Sequence, residues 1–240
     1  GIAIGVLMVM AFLILMQPDF GMTALISVVC LGMMYVAGAR PLHIAGVFAS
    51  IIVAGIPLVM LKPYRMNRIL GYLHPELDPL GVGWQKIQSM IAIANGGFFG
   101  RGLGDSLQKR MFLPQQHTDF IYSIIGEELG LLGMTGIAFL FVMISIRGLR
   151  IAEKCADPLA RNLATGIVWM ISLQAGLNMG VAVGMLPITG LTLPCISFGG
   201  ASLTCTFFCF GILLNISSHV SRRSRRVNVE NSSGGGGDGG

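Results

Sequence analysis

Six apolar runs of nearly membrane-spanning length decide what this chain can fold into. A bilayer-spanning helix needs about 20 mostly apolar residues. The runs that approach this length are residues 1–16, 22–38, 43–61, 120–146, 163–185 and 195–217. Hydrophobic residues make up 53% of the chain and charged residues only 11%, which excludes an ordinary soluble domain. The pattern predicts an all-α, polytopic membrane protein with about six transmembrane helices.

The first run lacks a charged leader and a small-residue cleavage site, so we interpret it as a span and not as a signal peptide. The pI near 9.2 is compatible with nucleic-acid binding. However, the basic residues lie between apolar runs and form no RNA-binding motif, so no nucleic-acid partner is expected. The five cysteines include no CxxC pair, which favours small buried hydrophobic side chains over a metal site or a disulfide framework.

Basic residues orient the spans, because Lys and Arg of short loops are retained on the cytoplasmic side. One basic cluster follows the fourth run and another lies in the tail, and two spans separate them. Both clusters are therefore placed inside, and the long segment of residues 62–118 is placed outside. The predicted organisation is a membrane domain over residues 1–218, then a basic cytoplasmic tail with a flexible Gly-rich end over residues 219–240.

The long outer segment carries a surplus of basic residues, against the charge rule, although long loops can cross a membrane regardless of charge. Either an anionic ligand at the outer face or contact with lipid headgroups accounts for the surplus. Apolar residues recur at helical spacing over residues 86–95, a stretch too short to span, which predicts an interfacial or re-entrant helix. Irregular, glycine-rich backbone follows it, and this predicts a cavity at the outer leaflet.

Three acids stand at the start of the fourth run. Asp119 follows Thr118, a plausible helix cap, and a carboxylate in a first helical turn gains about 0.3–1 kcal/mol from the helix dipole. Asp119 is thus either a capping residue or an ionised general base or cation ligand. Glu127 and Glu128 are either a structural pair or a proton relay.

The flanking glycines of these two acids permit tight helix contact and favour the structural interpretation. Gln174 and Asn178, four residues apart in the fifth run, are candidate hydrogen-bonding neighbours of the two acids. The outer turn of residues 184–202 is rich in Pro, Gly and Ser. It is interpreted either as an ordinary turn or as a helix start that meets an anion.

Several motifs together resemble those of the SEDS family (shape, elongation, division and sporulation), in the family's order and spacing. These motifs are QPDFG (17–21), PYRMNR (63–68), DPLGVGWQKIQS (78–89), GGFFGRGLGDSLQK (96–109), LPQQHTDFIYSIIGEELGLLG (113–133) and LPITGLTLPCISFGGAS (186–202). The GLGDSLQK form is more similar to the division branch, FtsW, than to the elongation branch, RodA. Departures from the family pattern include Met22, Met111, Gln115, Thr189 and the aromatic residues Trp84 and Phe198.

The resemblance implies a peptidoglycan glycosyltransferase of about ten spans, of which this chain would hold the last six. Such proteins polymerise lipid II into glycan strands at the outer face of the bacterial cytoplasmic (inner) membrane during cell division. They expel undecaprenyl diphosphate and work with a class B penicillin-binding protein and other division proteins. A lipid II flippase and a non-catalytic division scaffold are the rival interpretations.

The essential acid of the family's HTDF motif falls on Asp119, which is the expected catalytic base. The residues expected to bind lipid II or the lipid-linked glycan are Arg101, Lys109, Arg65, Arg68, Gln88, Ser89, His117, Ser197, Gly199 and Gly200. A divalent cation, Mg²⁺ or Mn²⁺, is a further candidate at Asp119. No organic cofactor is expected.

Overall fold

The computed structural model describes residues 2–16, 20–60, 71, 72, 74, 81–106 and 119–234. This part of the chain is built from helices and contains no strand. The helices are α1 (Ile2–Met16), α2 (Phe20–Val36), α3 (Pro41–Met60), α4 (Val82–Gly96), α5 (Ile121–Glu153), α6 (Pro158–Ala182) and α7 (Gly200–Gly234). Each apolar run overlaps with one of the helices other than α4, and α4 covers the short helix predicted over residues 86–95. The all-α class is confirmed.

Three helices of the described part are long and apolar enough to cross a membrane: α5, α6 and the first part of α7, up to Arg222. The described parts of the apolar helices α1 and α2 have 15 and 17 residues. These numbers are below the roughly 20 residues that a perpendicular span requires. The number of six spans therefore stays a prediction, as does the boundary at residue 218, which α7 passes without a break.

Helix α6 is the centre of the fold and packs against α2, α5 and α7. More than half of its most apolar stretch is buried, whereas those of α5 and α7 are mostly exposed. Helices in a membrane associate by close packing at small residues, since lipid tails are as apolar as the side chains. A methyl carbon added at Gly166 would lie 2.4 Å from the Met33 sulfur, and one at Gly148 would lie 2.4 Å from Val168. These glycines let α6 approach α2 and α5.

Helix α5 bends sharply at Gly130, whose φ of 66° and ψ of −164° are not helical. The Tyr122 hydroxyl donates to the Met134 carbonyl at 3.0 Å. A straight helix would separate these two residues by about 18 Å along its axis. The part after the bend, residues 131–153, is about 35 Å long and suffices by itself to cross a hydrocarbon core of about 30 Å.

The prediction of one continuous span over residues 120–146 is therefore wrong. Glu127 and Glu128 belong to the short helical segment before the bend, and the apolar span follows them. This arrangement explains why a membrane-like run opens with several carboxylates. The charged residues lie on a separate structural unit that precedes the span.

Candidate active site around Asp119

Asp119 lies immediately before α5 and outside its first turn. The helix begins at Ile121, its N-cap is Phe120, and the Phe120 side chain makes no capping hydrogen bond. Phe120 is 1% exposed and packs with Val181, Leu186 and Ile188, so buried apolar contacts fix the start of this helix. The predicted place of Asp119 in the first turn is therefore wrong, and Thr118, the predicted cap, lies outside the described residues. Asp119 is therefore not the N-cap residue of α5.

An amide side chain of α6 holds the backbone of Asp119. The Asn178 amide nitrogen donates to the Asp119 carbonyl at 2.9 Å and to the Leu191 carbonyl at 2.7 Å. One turn earlier, the Gln174 amide nitrogen donates to the Thr192 carbonyl at 2.9 Å. The polar pair of α6 thus joins the start of α5 to the turn between α6 and α7. These bonds correct the prediction that the pair would serve Glu127 and Glu128.

The carboxylate of Asp119 lies against the same turn. Asp119 is 8% exposed, and a methyl carbon added at Gly190 would lie 3.9 Å from its Oδ2 atom. Gly190 has a φ of +76°, a conformation that side chains rarely adopt. The structure therefore brings the predicted catalytic acid and the Pro/Gly/Ser-rich turn of residues 184–202 together in one site.

The glycine-rich loop, residues 97–106, docks onto the bend of α5. The N–H groups of Arg101 and Gly102 donate to the Glu127 and Glu128 carbonyls at 3.0 Å each. In the other direction, the Leu131 N–H donates to the Gly97 carbonyl at 3.0 Å. A bend frees backbone groups that a continuous helix would pair internally, and buried groups of this kind need partners. The loop supplies these partners.

Gly100, Arg101 and Gly102 have no free backbone donor to offer an anionic ligand. Their N–H groups are bonded within the protein. Three glycines make the close approach possible. Methyl carbons added at Gly96, Gly100 and Gly130 would lie 1.9, 2.2 and 2.3 Å from backbone atoms of the facing segment. The predicted tight contact at the glycines beside Glu127 and Glu128 is present, and its main partners are α4 and the loop.

Glu127 is fully buried and bonded to the glycine-rich loop. The Ser106 hydroxyl donates to its Oε2 atom at 2.5 Å, and Ser106 is itself 1% exposed. A buried carboxylate needs hydrogen bonds to offset its desolvation. This bond ties the end of the loop to the segment before the bend and favours the structural interpretation of Glu127. Ser106 is not among the predicted residues, because a single serine in a loop carries no distinguishing signal in the sequence.

Two predicted ligand-binding residues on α4 are buried in helix packing. Ser89 is 1% exposed, donates to the Ala182 carbonyl at 2.6 Å and lies 2.5 Å from the Ser123 hydroxyl oxygen. Gln88 is 5% exposed. Ser89 therefore joins α4 to α5 and α6, and its hydroxyl does not point to direct contact with a ligand.

The other predicted binding residues fall into four groups. Ser197 is buried and accepts a hydrogen bond from the Leu193 N–H at 2.7 Å, so it shapes the turn between α6 and α7. Gly199 and Gly200 lie at the start of α7, where Gly200 has open space beside its Cα atom. Arg101 is exposed, and its guanidinium makes no ion pair within the described residues. Arg65, Arg68, Lys109 and His117 lie outside the described residues.

Comparison with known proteins decides the family. The FtsW/RodA/SpoVE family, described as a cell cycle protein family, matches residues 1–222. The chain belongs to this family. The SEDS resemblance of its motifs is thereby confirmed, and with it the class of polytopic membrane protein.

Relatives of the FtsW/RodA/SpoVE family agree with this assignment. The chain is 47% identical to a probable peptidoglycan glycosyltransferase FtsW of Geobacter metallireducens, over 89% of this chain and 57% of the relative. It is also 47% identical to the stage V sporulation protein E of Bacillus subtilis, over 87% of this chain and 57% of that protein. The chain thus spans a little over half the length of these relatives.

Two solved structures share the fold. One belongs to a study of the structural coordination of polymerization and crosslinking by a peptidoglycan synthase complex. It has a TM-score of 0.71 and 31% identity, over 88% of this chain and 59% of the other. The second is an aspartate-to-alanine mutant of the rod-shape-determining protein RodA of Thermus thermophilus. It has a TM-score of 0.57 and 27% identity, over 87% of this chain and 53% of the other.

The described residues contain no group of three or more His, Cys, Asp or Glu side chains that could hold a metal ion. Mg²⁺ often binds through one or two carboxylates together with substrate phosphates and water. Asp119 fits that mode as a single protein ligand. The described residues do not offer a metal cage made by the protein alone.

Proposed function

We propose that the protein containing this chain is a peptidoglycan glycosyltransferase that polymerises lipid II. One observation carries the proposal. Asp119, the acid of the family's motif, is fixed through its carbonyl by Asn178, and its carboxylate lies beside Gly190 in the outer turn. A catalytic group must be held in position by its surroundings to be effective. The names of the relatives, which call them probable peptidoglycan glycosyltransferases, support the same activity.

In the proposed reaction, Asp119 takes the proton of the 4-hydroxyl of the terminal GlcNAc of one lipid II. The oxygen of that hydroxyl then bonds to the anomeric carbon of MurNAc on the lipid-linked chain, and undecaprenyl diphosphate leaves with the electron pair of the broken bond. General-base assistance of this kind contributes typically about 10²–10⁴-fold to a rate.

The diphosphate leaving group needs positive charge near it. Among the described residues, Arg101 is the candidate to supply this charge, because its side chain is exposed and makes no ion pair with another described residue. Lys109, Arg65 and Arg68 are further candidates from the sequence, together with backbone N–H groups at Gly199 and Gly200. His117 is a candidate to orient Asp119 or to bind sugar. A Mg²⁺ or Mn²⁺ ion bound to Asp119 would add charge next to the diphosphate.

The proposed setting is the bacterial cytoplasmic membrane, with the reaction at its outer face and a class B penicillin-binding protein as partner. The similarity to a peptidoglycan synthase complex that coordinates polymerization and crosslinking supports such a partner. A lipid flippase would use Asp119, Glu127 and Glu128 as a coupling path. The bond between Ser106 and Glu127 ties the second of these groups to the protein and makes that path less favourable.

The test is lipid II polymerisation by the complete protein, purified with its penicillin-binding protein. We expect Asp119→Ala and Asp119→Asn to lose at least about 10²-fold in rate, since a general base contributes this much. Partner binding and thermal stability should persist. Asp105→Asn, which removes an exposed acid of the glycine-rich loop, is the matched control and should retain the parent rate.

Undiminished polymer from Asp119→Asn would reject the catalytic role. A parent without polymerase activity that moves lipid II across vesicle membranes, and loses this on Asp119→Ala, would establish the flippase instead. If the parent has neither activity and still binds its partner, the non-catalytic scaffold is the remaining interpretation. The role of a divalent cation is tested separately, by measuring polymerisation with a chelator and again after Mg²⁺ or Mn²⁺ is restored.

A further inference from the structure

A second concave surface lies far from Asp119, where α5 ends and α6 begins. Its cavity of about 580 Å³ is formed by residues 154–157 and 160, and by α7 around Asn215 and His219. Along α6, Ala160 and Asn178 are separated by about 27 Å at 1.5 Å per residue. The cavity is therefore separate from the proposed active site, and no proposed step of the polymerase uses it.

The charged groups of this cavity favour an anion. Lys154 and Arg222 line it from opposite elements, and His219 lies beside them. Asp157 is the one acid among the lining residues, and both of its carboxylate oxygens accept N–H bonds at 3.2 Å as the N-cap of α6. Its negative charge is thereby partly compensated by backbone dipoles. The lining therefore carries a net positive charge, with Lys154 and Arg222 as its cations. We name this part, with Lys154, His219 and Arg222, the basic pocket.

An apolar groove continues from the basic pocket between α6 and α7. The two share Asp157, Ala160, Asn215 and Ile216, and the groove has a volume of about 500 Å³. Its other lining residues are Leu159, Leu163, Phe208, Gly211 and Ile212. Phe208 and Gly211 lie within the membrane-length part of α7, so the groove runs from the basic pocket along the apolar span.

We propose that the basic pocket and the apolar groove together bind one anionic phospholipid. The phosphate of the headgroup lies between Lys154 and Arg222, and an acyl chain lies in the groove against Phe208 and Gly211. Basic pockets between transmembrane helices are suited to anionic headgroups on the side where Lys and Arg are concentrated. Each of the two volumes lies within the range of roughly 300–1,000 Å³ that is usual for ligand sites.

Because the basic pocket and the apolar groove adjoin each other, a phospholipid fits them better than other occupants do. A soluble phosphate would use the basic pocket and leave the groove without a role. A further apolar helix would cover the groove and leave the two cations at its rim without an anionic partner. A phospholipid satisfies both surfaces at once. Occupancy of this site would then depend on the amount of anionic lipid in the leaflet next to the basic loops.

The experiment compares lipid binding by four variants of the complete protein. Native mass spectrometry in mild detergent counts bound phosphatidylglycerol and phosphatidylcholine during titration of each lipid. Lys154→Gln combined with Arg222→Gln removes the headgroup contacts. Arg40→Gln is a control that removes an exposed arginine from the α2–α3 connection.

The groove is tested by Gly211→Leu, with Gly136→Leu as its matched control. Both glycines have open space within 4 Å of an added methyl carbon, so neither change creates a clash at that atom. Gly211→Leu fills the groove, whereas Gly136→Leu adds the same side chain to another exposed helix face. Thermal unfolding and size-exclusion profiles confirm that each variant is folded.

We expect phosphatidylglycerol to bind the parent and both controls, and to bind at least about tenfold more weakly to the double variant and to Gly211→Leu. Phosphatidylcholine binding should be weak and equal in all of them. Equal phosphatidylglycerol binding across the variants would overturn the proposal. Loss in the double variant alone, together with displacement by millimolar inorganic phosphate, would reassign the basic pocket to a soluble anion. Loss in Gly211→Leu alone would indicate an apolar occupant without headgroup recognition and would also overturn it.

Discussion

Docking of the glycine-rich loop onto the bend of α5 can be tested by adding one methyl group at Gly100. This glycine has a φ of +80°, and a methyl carbon there would lie 2.2 Å from the Glu128 carbonyl oxygen. Gly104 is the matched control, because its φ of +86° is nearly the same and nothing lies within 4 Å of an added methyl carbon. The two Gly→Ala changes therefore share the backbone strain and differ in the contact with α5.

The expected loss of stability follows from the hydrogen bonds between the docked loop and α5. Left-handed backbone costs a non-glycine residue about 1–2 kcal/mol, and this cost applies to both variants. In Gly100→Ala the loop must also move away from the bend. The Glu127 and Glu128 carbonyls then lose their bonds from Arg101 and Gly102, which are 3.0 Å each. A buried group left without a partner costs about 1–3 kcal/mol, so Gly100→Ala should be less stable than Gly104→Ala by about 2–6 kcal/mol.

The measurement is the free energy of unfolding of the complete protein in mixed micelles, with SDS as denaturant. Hydrogen exchange at the Arg101 and Gly102 amides gives a local readout. These two amides should be protected in the parent and in Gly104→Ala, and should exchange rapidly in Gly100→Ala. Equal unfolding free energies for the two variants, with both amides still protected in Gly100→Ala, would refute the reasoning.

Two further predictions concern single side chains. Asn178→Leu leaves the two carbonyls that its amide holds without donors and should cost about 2–6 kcal/mol of unfolding free energy. Asn162→Leu is the control, because the Asn162 amide oxygen, like that of Asn178, has no hydrogen-bond partner, and its amide nitrogen bonds to no carbonyl within the described residues. It should cost much less, and similar losses in both variants would contradict the importance of the two bonds. Burial raises the pKa of the Cys155 thiol, and the Arg161 charge opposes this shift. In a variant with Cys155 as sole cysteine, the pH midpoint of alkylation should lie above that of an exposed peptide thiol and should rise further in Arg161→Gln. A midpoint at or below that of the peptide would contradict burial of the thiol.

The helices of this protein can be predicted from the sequence because their signals are local. Apolar length and helical spacing lie within a single segment, and they locate α4 as well as the longer helices. The motif that contains Asp119 is likewise contiguous, so the sequence alone suffices to name the candidate acid. The same local character explains the error at α5. A continuous apolar run indicates one span, and hydropathy does not register the positive φ of Gly130.

The arrangement around Asp119 is decided by tertiary contacts between residues distant in sequence. Asn178 bonds to a carbonyl 59 positions away, and Ser89 to one 93 positions away. Amide and hydroxyl side chains accept many partners, so the sequence predicts the wrong ones for Asn178. One signal is present in the sequence: Gly96 and Gly100, and Gly126 and Gly130, each have the spacing that permits close backbone approach. Apolar length and period determined the helices, whereas the bend, the docked loop and the position of the acid depend on which backbone groups meet once the helices pack.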